Sequence, residues 1–103
     1  MAINTTAVGI SDTTVYTSSG DTALTFLSLC NYGGAAVTCD IHIIPSGNLV
    51  TDDNLLIKDL EIIAGDTFII YQGGEKILLN NGDYVSVVST SANVTAITSN
   101  ADI

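Results

Sequence analysis

The chain has no tryptophan and no arginine, a single proline, a single histidine and only two lysines, Lys58 and Lys76. Each scarcity removes a class of function. Nucleic-acid binding depends on cationic side chains that displace phosphate counterions, and two lysines within a formal net charge of −9 do not supply them. An anionic membrane surface is excluded on the same ground. With no tryptophan, four tyrosines and two phenylalanines, a groove that stacks sugars is disfavoured. No apolar run approaches the ~20 residues of a membrane helix. Met1-Ala2-Ile3-Asn4-Thr5-Thr6 lacks the basic region and apolar core of a secretory signal. Maturation in a cytoplasm is therefore expected, with Cys30 and Cys39 as thiols.

What remains is apolar and uncharged. The 103 residues suit one domain, 1–103, that buries its own core. Apolar residues make up 47% and charged residues only 13%, against about 25% charged in ordinary domains. The surface must then be built largely from Thr, Ser, Asn and Gly. Such a surface suits a protein packed against neighbours, and the acidic excess favours solubility.

Helical periodicity is nearly absent, whereas thirteen threonines and many valines and isoleucines fall in short alternating runs. Lys76-Ile77-Leu78-Leu79-Asn80-Asn81-Gly82-Asp83-Tyr84-Val85-Ser86-Val87-Val88 reads as strand, turn and strand, because Asn-Gly favours the φ > 0 backbone of a tight hairpin. The spacing predicts about eight strands: Thr13–Ser18, Thr22–Tyr32, Ala36–Ile44, Leu55–Ile63, Thr67–Gln72, Lys76–Leu79, Asp83–Thr90 and Asn93–Ser99. Gly33-Gly34, Ser46-Gly47-Asn48, Ala64-Gly65-Asp66 and Gly73-Gly74 punctuate them, and Pro45 ends the third. The fold expected is an all-β antiparallel sandwich, jelly-roll-like. Thr51-Asp52-Asp53-Asn54 reads either as a cap on one short helical turn or as a loop. In Ala36–Ile44, Val37, Cys39, Ile41 and Ile43 alternate with Thr38, Asp40 and His42, which predicts one buried face. The register of Thr22–Tyr32 against it stays open. A two-residue turn pairs Cys30 with Cys39 and buries Leu24 and Phe26, whereas a three-residue turn pairs Leu29 with Cys39 and buries Leu27. The tail Asn100-Ala101-Asp102-Ile103 is expected to be short and free to reach a neighbour.

No catalytic constellation emerges. His42 lies on the polar side of its strand and reads as solvated, not as the base of a Ser/His/Asp or Cys/His set. A zinc site would have to join Cys30, Cys39 and carboxylates, and eight intervening residues are not a usual zinc spacing. The two cysteines read as small apolar residues, with a disulfide across the hairpin as the alternative. Asp52-Asp53 with Asn54, and Asp12 beside Ser11, show no calcium-loop motif and read as solvated turns. Eleven acids will always place some pair at a glycosidase-like distance, so such a pair carries no signal. The Gly-Gly pairs precede no helix, so nucleotide binding has no support. Tyr16, Tyr32, Tyr71 and Tyr84 fall near strand ends, where tyrosines close sandwich edges or anchor interfaces.

Three stretches together resemble a diffuse group of small β-sandwich proteins in virions of tailed bacteriophages, notably of marine and cyanobacterial hosts. They are Val15-Tyr16-Thr17 with Ala23-Leu24-Thr25-Phe26-Leu27-Ser28-Leu29-Cys30-Asn31, then Val37–Ile44 with Leu60-Glu61-Ile62-Ile63-Ala64-Gly65-Asp66-Thr67, and finally Lys76–Val87 with Val94-Thr95-Ala96-Ile97-Thr98-Ser99. The order of all three spans nearly the whole chain. The resemblance implies a non-enzymatic virion component, assembled in the host cytoplasm, that binds the major capsid protein or other virion proteins as a small homo-oligomer, with a trimer favoured. Capsid decoration (cement) is the expected role, and a neck, tail or baseplate module is the alternative. No cofactor, metal or catalytic residue is implied. A carbohydrate- or receptor-binding module and a small hydrolase are the competing classes.

Overall fold

Period-two alternation drives this chain into strands, and the computed structural model, which describes residues 2–70 and 77–103, has nine of them. They are β1 (Ala2–Val8), β2 (Thr13–Thr17), β3 (Thr22–Asn31), β4 (Val37–Ile44), β5 (Leu55–Ile62), β6 (Thr67–Ile70), β7 (Ile77–Leu79), β8 (Tyr84–Ser89) and β9 (Val94–Asp102). β1 was not foreseen, because Ala-Ile-Asn-Thr-Thr-Ala-Val offers little apolar alternation. The stretch Thr51–Asn54 resolves as a 3-10 turn over Asp52–Asn54, closed by Thr51 N donating to Asn54 Oδ1 at 3.2 Å. The expected strand ends at Tyr71, Gln72 and Lys76, and the Gly73-Gly74 turn, lie outside the described residues.

One sheet has the order β1-β9-β3-β6, with β7 also on β3; the other runs β2-β8-β4-β5. All pairs are antiparallel. This is the strand order of a jelly roll, two Greek keys wound across two sheets. Between the sheets sit Leu24, Leu27, Leu29, Val94 and Ala96 from one side and Val15, Val37, Ile41, Val85 and Val87 from the other.

The expected hairpins are corrected by this topology. β3 and β4 do not pair with each other; they lie in opposite sheets, so neither proposed register between Cys30 or Leu29 and Cys39 occurs. Likewise β7 and β8 fall in different sheets, and the Asn80–Asp83 turn carries the chain across the sandwich. A turn signal specifies a reversal of direction; it does not specify whether the returning strand pairs beside its predecessor or crosses to the other layer. The two-sided apolar pattern of β3 has a different explanation. Its register with β9 shifts between Leu24 and Phe26. That bulge exchanges the faces midway, so Leu24, Leu27 and Leu29 are all fully buried.

Each end of the sandwich is pinned where the chain changes sheets. At one end Asn31 is fully buried. Its Nδ2 donates to Ala35 O at 2.8 Å and to Ile62 O at 2.9 Å, and its Oδ1 accepts from Gly33 N at 3.0 Å. Its backbone accepts from Gly65 N and donates to Asp66 O. At the other end Asp83 Oδ1 accepts from Ser46 N at 2.9 Å, Asp83 Oδ2 accepts from Asn80 N at 2.8 Å, and Gly82 N donates to Ser18 O at 2.8 Å. Nearby, Tyr16 Oη lies 2.7 Å from Thr22 Oγ1, which lies 2.8 Å from Ser18 Oγ. The tail is docked as well: Asn100–Asp102 belong to β9 and Ile103 N donates to Asp21 O at 3.2 Å, so these residues do not extend away as expected.

Two stability predictions follow from these ends. Asn31→Ala strips the partners from three backbone groups, each costing about 1–3 kcal/mol if left unsatisfied; urea unfolding should show a loss of at least about 2 kcal/mol. Gly82 sits at φ +89, and a Cβ there would meet Ser46 Oγ at 2.5 Å. Gly82→Ala should cost about 2 kcal/mol, read as a lowered melting temperature.

Candidate functional site

The residues singled out as possible chemistry are dispersed. Cys39 is fully buried and faces the core from β4, whereas Cys30 is half-buried on the outward side of β3, in the other sheet. The sandwich separates them, so the alternative of a disulfide across a hairpin is corrected. Burial pushes the Cys39 thiol up from its ordinary value, an effect reduced by a hydrogen bond with Ser89 and reinforced by the Asp40 carboxylate. Asp52 and Asp53 are exposed, and the Asn54 side chain is engaged with Thr51 N and with Leu49 O. Asp12 is exposed beside a turn in which Thr13 Oγ1 donates to Ser11 O. Among the described residues, no three His, Cys, Asp or Glu side chains gather closely enough to hold a metal ion.

His42 is a correction. It is 7% exposed, not solvated, and its Nδ1 finds no hydrogen-bond partner among the described residues. It lies on the outward side with Ser86 and Ile44, both also buried. The connection from Pro45 to Asn54 packs at this end of the sheet, and Tyr84 Oη donates to Asn48 O at 2.9 Å. A tertiary cover of this kind leaves no trace in the alternation of a strand. Tyr16 is buried in the hydroxyl cluster described above, Tyr32 is exposed, and Tyr71 lies outside the described residues.

The outward face of the five-stranded sheet is the distinctive surface. Register places Thr5, Ile97, Ser28 and Ile69 in one row across β1, β9, β3 and β6. The next row is Ala7, Thr95, Cys30 and Thr67. Ile3, Ser99 and Phe26 form a third, and Ala101, Ala23 and Leu78 a fourth. Among the described residues none of these positions is charged. Ile3, Ile69 and Leu78 are 73%, 39% and 64% exposed, so large apolar side chains stand in solvent there. They stand at the two rims of the face, on β1 and on β6 and β7, with the buried Ser28 and Ala23 of β3 between them.

The other sheet is different. Its outward positions include Asp40 on β4 and Glu61 on β5, and its edge carries Lys58 and Asp59. Asp40 Oδ1 accepts from Asp59 N at 2.8 Å, which holds Asp59 at φ 54. Lys58 Nζ lies 3.5 Å from Asp40 and 3.6 Å from Asp59, and these carboxylates raise its pKa. Among the described residues the acidic groups thus sit on one sheet face, on the turns and, as Asp102, at the very end of β9, and the outward rows of the five-stranded sheet hold none. The sequence held the composition for this contrast, but only pairing register sorts residues between faces.

No family model, curated protein or solved structure matches this chain, so its function is argued from its own surface.

The cysteines give a test of the two faces. Iodoacetamide should modify Cys30 in the native protein and Cys39 only after unfolding. The raised folded pKa means that the Cys39 contribution to stability is present below the unfolded value of 9.0 and is lost as pH rises from there through the folded value. The melting temperature should therefore fall above pH 9.0 more steeply in the wild type than in Cys39→Ala.

Proposed function

We propose that this chain is a non-enzymatic structural protein of a tailed-phage virion that decorates and cements the capsid as a small homo-oligomer. The observation that carries the reading is the neutral outward face of the five-stranded sheet on a chain of net charge −9. Support also comes from the order of the three fold-forming stretches and from the jelly-roll topology. Viral capsid domains use that topology, as do lectins and cupins, so topology alone does not select a function.

The action is mechanical. The neutral sheet face sits over joints between capsid subunits and buries Ile, Phe, Thr and Ser side chains. Opening the shell exposes that area again, at about 25 cal/mol per Å2 of apolar surface. Small patches repeated over a shell sum to a large barrier. The acidic sheet faces outward, where like charge resists aggregation of particles.

A mass-spectrometric copy count in purified virions tests the reading. Copies comparable to the major capsid protein are expected; a handful per particle moves the protein to the neck or tail, and absence from the particle overturns the virion role. Ile97→Lys places a charge at the centre of the neutral face. An unpaired buried charge costs several kcal/mol, so copies per particle should fall about tenfold or more, with particles losing heat and osmotic resistance. Unchanged copy number would exclude that face as the contact.

A further inference from the structure

A jelly roll built from open sheets leaves four kinds of edge, and soluble proteins blunt such edges with short strands, charges, proline or bulges. Three sites here are blunted. β2 carries a bulge between Thr14 and Tyr16. β5 is broken by two register shifts against β4 and bears Lys58, Asp59 and Glu61. β6 and β7, end to end along β3, have four and three residues. β1 has none of these devices. It pairs with β9 in unbroken register over seven residues, and it contains no charge, no proline and no bulge. At its flank an open groove runs between Ile3–Thr6 of β1 and Thr14–Thr17 of β2, and it too is uncharged.

We propose that β1 is a pairing edge, and that its occupant is β1 of a second copy, joined antiparallel across a two-fold axis into one continuous sheet. In an edge strand every other residue directs its N–H and C=O away from the neighbour already paired, and these groups template a further strand. Charge selects the occupant. Eleven acids face only two lysines in this chain, so the acidic surface of one copy finds no cationic complement on another. Two copies meet at low electrostatic cost only where charge is missing, and β1 with its groove is such a place. Geometry agrees. With the axis at Thr5, the middle of Ala2–Val8, Thr5 faces Thr5 of the second copy, and Ile3 faces Ala7, a large side chain against a small one. Threonine pairs across antiparallel strands are favourable. The smallest assembly is then a dimer, not the trimer expected from resemblance. The contact uses the strand edge, so it leaves the neutral sheet face free and does not depend on the capsid role.

Sedimentation of the full chain over a dilution series tests this, paired with amide hydrogen exchange. The wild type should sediment at twice the 10.7 kDa chain mass and shift to the single-chain mass on dilution. Its outward β1 amides should be protected in the dimer and lose that protection on dilution. Thr5→Lys, at an exposed position, sets two like charges across the axis and should give the single-chain mass with the melting temperature of the diluted, single-chain wild type; Ile3→Lys is the second variant should the first fail to fold. Ile69→Lys, at the opposite edge, should leave the dimer intact. A wild type of single-chain mass with rapidly exchanging β1 amides overturns the proposal, as does a dimer that survives both β1 variants. Protection of β1 that appears only on adding phage shells would also overturn it, by assigning the edge to a foreign strand.

Discussion

The constraint on which the rest of the structure depends is that the chain keeps changing sheets. With strands ordered β1-β9-β3-β6 and β2-β8-β4-β5, only β4 and β5 are both consecutive and paired. Each connection that changes sheets brings backbone polar groups over the end of a hydrophobic core, where an unpaired amide or carbonyl is costly. Asn31 answers this at one end, because its amide supplies two donors and one acceptor to three backbone groups from β3, β4 and β5 connections. The Asn80–Asp83 turn answers it at the other, tying itself to Ser18 and Ser46. These two polar clamps let short strands with few charges hold a long-range topology.

A second asymmetry grows from the same topology. The two sheets share a core but have opposite exteriors. One exterior carries Asp40 and Glu61 and is partly closed by the Pro45–Asn54 connection. The other carries only uncharged residues in its outward rows among the described residues: Ile, Leu, Phe, Thr, Ser, Cys and Ala. Among the described residues, charge on this chain of net charge −9 gathers on one sheet face, on the turns and at the end of β9. The blunted edges of β2 and β5 and the unblunted edge of β1 extend the same contrast to the rims. Neutral surface lies on one sheet and its β1 edge, and both are suited to assembly.

Much of this was legible in the residues. The eight strands expected from alternation coincide with β2 to β9 within a residue or two at most described boundaries, and the sandwich class followed from their spacing. The unforeseen β1 is polar and small, held by pairing with β9 and not by an apolar pattern of its own. His42 shows the limit on the candidate site. Its strand alternates cleanly, yet tertiary packing leaves it only 7% exposed. Cys30 and Cys39 show the same limit, since nine positions apart in sequence they face opposite ways in different sheets.

The sequence by itself determined that strands form, where most of them begin and end, and that two lysines stand against eleven acids. Those properties are local or compositional: side-chain period, turn residues and charge count need no partner to be read. Tertiary structure alone decided which strands pair, which face of β3 enters the core on either side of its bulge, and which exterior stays neutral. Pairing is a choice among distant segments of similar β propensity, and it is settled by how the two layers close on one core.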